Sequence, residues 1–171
     1  KKLQEKKIKL ENIKWINSFK KISKFPTIFI ANEFFDALPI KQFIKKENVW
    51  FEKYVVNKNR SLVFFEKKIS KEIIEKLLKR KILKNQKFIE FSPLANQILA
   101  SITRIIKKNN GGVLIIDYGY ESKKMFDTLQ SVKKHKKNNL LENIYKADIT
   151  HLIIFNFLKK KIKDLKISSV N

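Results

Sequence analysis

Two short apolar runs, each ending abruptly in acid, constrain this chain more than anything else in it. Thr27–Ala31 is opened by Pro26, and Val113–Ile116 follows Gly111-Gly112; neither alternates apolar with polar residues. A strand with one wet face alternates, whereas one covered on both faces does not, and strands of the second kind belong to parallel sheets. Thr27–Ala31 therefore reads as a fully buried parallel strand, and Val113–Asp117 as a second one, ending in Tyr118 and Gly119.

The intervening segments supply the rest of an α/β pattern. Lys1–Glu11 reads as the end of an amphipathic helix and Ile13–Ile16 as a short strand. Gln42–Lys45, Val49–Val56 and Leu62–Lys67 read as a small antiparallel meander. Ser70 opens a helix carrying Ile73, Ile74, Leu77 and Leu78, and Phe88–Phe91 is another strand. Ser92 and Pro93 suit the start of a helix to about Lys108, with Leu94, Ile98, Ile102, Ile105 and Ile106 inward. Thr128–Lys134 reads as an edge strand, and Asp148 as the cap of a helix running to about Lys163. Strands alternating with helices give a mostly parallel sheet with an inserted hairpin.

Composition sets bounds on what such a fold can do. The 171 residues carry a formal charge of +23, which points first to nucleic acid or an anionic surface. Yet arginine stands only at 60, 80 and 104, and the other basic residues are all lysine. Base and phosphate readers favour the bidentate guanidinium, and Lys, Ile, Asn and Phe abound here as AT-rich codons would produce. The charge is read as composition on solvated faces, and no specific nucleic-acid partner is expected. No cysteine is present, so a thiolate metal site and a cysteine nucleophile are excluded; the two histidines, His135 and His151, lack paired spacing, and no metal is expected. No apolar stretch approaches the roughly 20 residues of a membrane span. Lys1–Leu10 shows no signal-peptide core, and the helical pattern running from residue 1 reads as a fragment cut inside a helix.

In parallel sheets the ligand sits beyond the carboxyl ends of the strands. Asn32, Glu33 and Asp36 follow the first run, and Asp117 and Tyr118 the second. Carboxylates at the lip of buried strands are costly unless paired or used to hold a cation or a donor-rich substrate. Capping of a following helix, or pairing with surface lysines, is the other reading for Glu33 and Asp36, and a turn or cap the other for Asp117.

The run ANEFFDALPIKQF (Ala31–Phe43) resembles the signature of the MidA family of S-adenosylmethionine-dependent methyltransferases, whose mitochondrial members are complex I assembly factors. The likeness continues in order through FSP at Phe91–Pro93, GGVLIIDYG at Gly111–Gly119, TLQSVKKHK at Thr128–Lys136, LEN at Leu141–Asn143 and ADIT at Ala147–Thr150. The resemblance implies a partial Rossmann-like methyltransferase fold with helices on both faces of the sheet. It makes 1–171 a single incomplete domain: 1–40 and 86–171 Rossmann-like, 41–68 a β insertion, 69–85 a helix. S-adenosylmethionine is the implied cofactor and a protein arginine the implied substrate, with a respiratory complex I subunit a candidate partner. The compartment would be the mitochondrial matrix, or the cytoplasm of a bacterium.

On that resemblance Glu33 orients the guanidinium, Asp36 supports it or the loop, and Asn32 lies beside them. Asp117, Tyr118 and Gly119 would line the same pocket, joined by His135, Asp148 and Thr150. For His135 an exposed place in a lysine run is the alternative, and for Asp148 and Thr150 capping is. Two departures stand out. The glycine-rich turn that holds the cofactor is missing, since Gly111 and Gly112 precede a strand. The family's Pro-Gly before Asp-x-Thr is replaced by Ile144-Tyr145, and a polar residue near Phe155 by Ile154. The chain alone is therefore expected to bind the cofactor poorly and to expose sheet where further strands would pair. A non-catalytic assembly protein retaining the half-fold is the alternative.

Overall fold

The computed structural model describes residues 7–8, 11–22 and 24–164. Strands β1 (Thr27–Asn32) and β6 (Gly111–Ile116) form the parallel pair, in register from Thr27 opposite Gly111 to Asn32 opposite Ile116. Glycine is required at 111: its φ is +124°, and a Cβ there would lie 2.0 Å from the Thr27 carbonyl oxygen. Helix α2 (Pro93–Asn109), capped by Ser92 Oγ accepting from Ala95 N, covers one face of the pair. Ala31, Phe35, Leu99, Ile153 and Leu158 form the core beneath it.

The other face is bare. Ile28 is 75% exposed and Ile30 71%, with Leu114 and Ile116 about half exposed. The expectation of full burial, with helices on both faces, thus fails: among the described residues, helices shield one side of this sheet only.

A second layer is antiparallel. Strands β2 (Lys41–Lys46), β3 (Val49–Lys58), β4 (Ser61–Ile69) and β5 (Phe88–Phe91) form one sheet in the order β4-β3-β2-β5. Phe43, Trp50, Ile89 and Phe91 pack there against Ile74 and Leu78 of helix α1 (Lys71–Leu78) and against Met125. Ser70 Oγ caps α1 by accepting from Ile73 N. Strand β5, expected within the Rossmann-like part, instead extends the meander by pairing with β2. A four-residue apolar run does not say which partner it will find.

Beyond β6, β7 (Gly119–Tyr120) pairs in parallel with β11 (Ile153–Ile154), just ahead of helix α3 (Phe155–Asp164). Between them β8 (Gln130–Lys133) sits centrally in a three-stranded antiparallel sheet, flanked by β9 (Lys136–Asn138) and β10 (Asp148–Thr150). This corrects two readings. The Thr128–Lys134 strand is internal to its sheet, and Asp148 lies in a strand opposite Val132, seven residues ahead of α3, so it caps no helix. Ile13–Ile16 forms no strand, and most of Lys1–Glu11 lies outside the described residues. Of the residues read as inward in α2, Leu94 is exposed while Ile102 and Ile106 are buried, joined by Leu99 and Thr103; of the periodic set in α1, Ile73 and Leu77 are exposed. Among the described residues no helix is long and apolar enough to cross a membrane.

Candidate functional site

The carboxyl ends of β1 and β6 lie side by side because the two strands are parallel and in register. One hydrogen bond extends the ladder past β1, from Glu33 N to the Ile116 carbonyl at 2.8 Å. Glu33 takes a left-handed φ of 44°, a cost for a residue with a Cβ, and it turns the chain sharply with its own side chain in solvent. No helix follows, so the capping reading of Glu33 and Asp36 falls; residues 35–38 make a turn closed by Leu38 N donating to the Phe35 carbonyl at 3.2 Å.

Asp117 holds that turn in place. Its Oδ2 accepts from Phe35 N at 2.9 Å and Asp36 N at 3.3 Å, and its Oδ1 from Tyr118 N at 2.9 Å. The strand-end aspartate is thus a positioning group whose acceptors are used on backbone. Asp117→Ala is expected to destabilise the fold by about 2 kcal/mol, since partly buried donors lose their acceptor. Asp117→Asn, which keeps one acceptor oxygen, should lose less; urea unfolding midpoints would separate the two.

Asp36 is 7% exposed, and its Oδ1 has no partner. Burial pushes its carboxyl above the usual aspartate range, the charge of Asp117 adds to this, and Glu33 contributes in the same direction. A backbone N–H from Ala37 and the proximity of His151 pull the other way. Three carboxylates therefore converge at one end of the parallel pair, and the most buried of them, Asp36, keeps one oxygen without a hydrogen bond among the described residues.

The structure separates the other predicted residues. Asn32 closes β1 and is exposed beside Glu33. Tyr118 is 64% exposed, and its carbonyl accepts from Ile153 N at 2.9 Å. Gly119 serves packing, because a Cβ there would sit 2.4 Å from the Ile153 carbonyl oxygen. His135 lies away from the strand ends, exposed in the two-residue turn between β8 and β9, where Lys134 and His135 have φ of 49° and 61°. Asp148 is exposed in β10, and Thr150 Oγ1 accepts from Gln130 Nε2 at 3.2 Å.

Two residues that sequence reasoning did not select do reach the site. His151 N donates to the Asp36 carbonyl at 3.0 Å, and the imidazole, 7% exposed, lines a cavity of about 40 Å³ with Phe35, Glu90, Ser92 and Asn96. Glu90 accepts from Gln42 Nε2 at 2.7 Å and from the Thr128 hydroxyl, which in turn accepts from Leu152 N at 2.9 Å. That network ties the antiparallel sheet to the segment carrying His151. The available signal was a histidine entering an apolar run, Leu152–Phe155, which read as the start of a helix.

The family model "Putative S-adenosyl-L-methionine-dependent methyltransferase" matches residues 1–170. The chain belongs to this family. A mitochondrial protein arginine methyltransferase NDUFAF7 homolog of Caenorhabditis elegans is 33% identical over 156 residues, covering 90% of this chain and 37% of the relative. Its Danio rerio counterpart is 31% identical over 165 residues, covering 89% and 36%. A "likely methyl transferase" of Burkholderia thailandensis, bound to S-adenosyl-homocysteine, shares the fold with a TM-score of 0.66 at 18% identity, over 82% of this chain and 38% of that one. The α/β architecture is thus shared with that structure, and the chain spans little more than a third of the relatives it matches.

The family's cofactor is S-adenosylmethionine, and the described residues contain no glycine-rich turn to cradle it. Gly111 and Gly112 lead into β6 and Gly119 is packed under Ile153, so none of the three glycines forms a turn from a strand into a helix.

Proposed function

We propose that this chain supplies the methyl-acceptor side of an S-adenosylmethionine-dependent protein arginine methyltransferase. The observation that carries the reading is the convergence of Glu33, Asp36 and Asp117 beyond the ends of β1 and β6. A guanidinium is planar, permanently charged and rich in donors, and a carboxylate can take two of its N–H groups at once. Glu33 is the exposed acid at the turn and the leading orienting group; Asp36 supports it from inside, and Asp117 fixes the turn through its backbone bonds. Holding one nitrogen in line for attack is the larger part of such catalysis.

The substrate is a protein arginine, with a respiratory complex I subunit as a candidate. The compartment follows the same reading, the mitochondrial matrix in a eukaryote or the cytoplasm of a bacterium. Because no glycine-rich cradle lies among the described residues, isothermal titration of the chain with S-adenosylmethionine is expected to show no micromolar binding. Transfer to an arginine peptide is expected once a relative's glycine-rich turn and first strands are supplied alongside. Glu33→Gln in that assembly should lower the rate about a hundredfold. A variant that transfers at the full rate removes Glu33 from the role.

A further inference from the structure

The strand-end loop and the segment after β10 meet at one backbone hydrogen bond, His151 N to Asp36 O, and each partner leaves one buried side-chain atom without a bond. These atoms are Asp36 Oδ1 and His151 Nε2, on residues each 7% exposed. A buried polar atom without a partner is costly and rare in folded proteins. Two on touching residues at a strand end call for a common cause.

Their chemistry identifies what is missing. His151 Nδ1 lies 3.2 Å from the Leu152 carbonyl, an oxygen that can only accept, so in the neutral ring the proton resides on Nδ1. That leaves Nε2 a bare lone pair. Asp36 Oδ1 is also an acceptor, and neither atom bonds to the other. Both orphaned atoms are thus acceptors, and His151 lines the cavity together with Phe35, Phe91, Ser92 and Asn96. Water could satisfy both atoms, and a proton on Nε2 would supply a donor and a charge; a cation with two N–H groups on one edge satisfies both acceptors at once and also answers the buried carboxylate's charge.

We propose that Asp36 Oδ1 and His151 Nε2 form a donor-binding subsite that grips two N–H groups of a guanidinium, making His151 a specificity-determining residue for arginine. This rests on the arginine reading above, and it adds a residue which that reading does not need. No bond is made or broken in the step; two charge-assisted or neutral hydrogen bonds form.

The chain has two histidines, so the test contains its own control. Methylguanidinium is titrated into the protein while the imidazole carbon signals of His151 and of exposed His135 are followed by NMR, with methylammonium at matched ionic strength as a single-headed comparison. A saturable shift of His151 alone, weaker with methylammonium, is expected. Asp36→Asn should weaken it about tenfold, the worth of one charge-assisted bond. Ligand line broadening should show methylguanidinium binding lost in His151→Phe and partly kept in His151→Gln, which retains an acceptor. An unmoved His151, as an internal water would give, overturns the proposal, and so does equal binding by His151→Phe. The two readings fail separately. Guanidinium binding at His151 without methyl transfer in the assembled enzyme leaves the subsite standing and removes the enzyme. Transfer with an unchanged KM for an arginine peptide in His151→Phe removes only the subsite.

Discussion

Asp36→Asn is expected to make the protein more stable and the assembled enzyme about a hundredfold slower. The stability half follows from the direction in which Asp36 is displaced. Burial, then Asp117, raise its carboxyl above the ordinary 3.8. Below the unfolded value both states hold the proton and the group costs nothing. As pH rises through the raised folded value, the unfolded chain has already released its proton while the folded one must ionise in a buried place. Stability present at low pH is thereby lost toward neutrality. Asparagine keeps the shape, can still accept from the Ala37 N–H, and never ionises, so Tm at pH 7 should rise by about 2–4 °C. Near pH 3, where Asp36 is itself protonated, the gain should vanish. Calorimetry at the two pH values checks the sign, and a lower Tm at pH 7 would mean that the carboxylate charge is compensated inside the fold. Gain of stability with loss of turnover is what a functional charge held against its surroundings produces.

How much of this was legible in the sequence varies with the kind of signal. The parallel pair was legible because an apolar run without alternation has few homes, and the acid after it marks the strand end; both runs paired in register, and their acids converged. Caps were legible too, since Ser70 and Ser92-Pro93 carry their chemistry locally. Partner choice was not. Phe88–Phe91 has no feature favouring β1 over β2, and the pairing with β2 comes from tertiary packing around Phe43. Asp148 failed because an aspartate ahead of an apolar run suits a helix cap and a short strand alike, and two-residue β11 was too brief to announce itself. His151 was missed for the same reason, since within a helix it would not have faced Asp36. Asp117 stood out by its place at a strand end, but its use on the backbone of the Phe35–Asp36 turn depends on contacts more than 80 residues apart in sequence.

Converting both Ile28 and Ile30 to lysine is expected to leave this chain as stable as before and to abolish its assembly with the cofactor-binding part of a relative. Both side chains are already more than two-thirds exposed, so removing them takes little from the core, and changes at exposed positions usually stay within about 0.5 kcal/mol. In a sheet covered on both faces the same positions would be buried. Each large aliphatic side chain taken from water contributes about 1.5–3 kcal/mol, so two lost contacts weaken assembly by roughly a hundred- to ten-thousand-fold. Leu114 and Ile116 on β6 continue the patch and should show the same split. Urea unfolding of the chain alone gives the first half of the result, and titration with a polypeptide bearing the family's glycine-rich turn and first strands gives the second. Loss of stability in the isolated chain would mean that the face is already covered, either within the chain or by a second copy. Sedimentation would tell these apart, because only a second copy would be shed by the lysines.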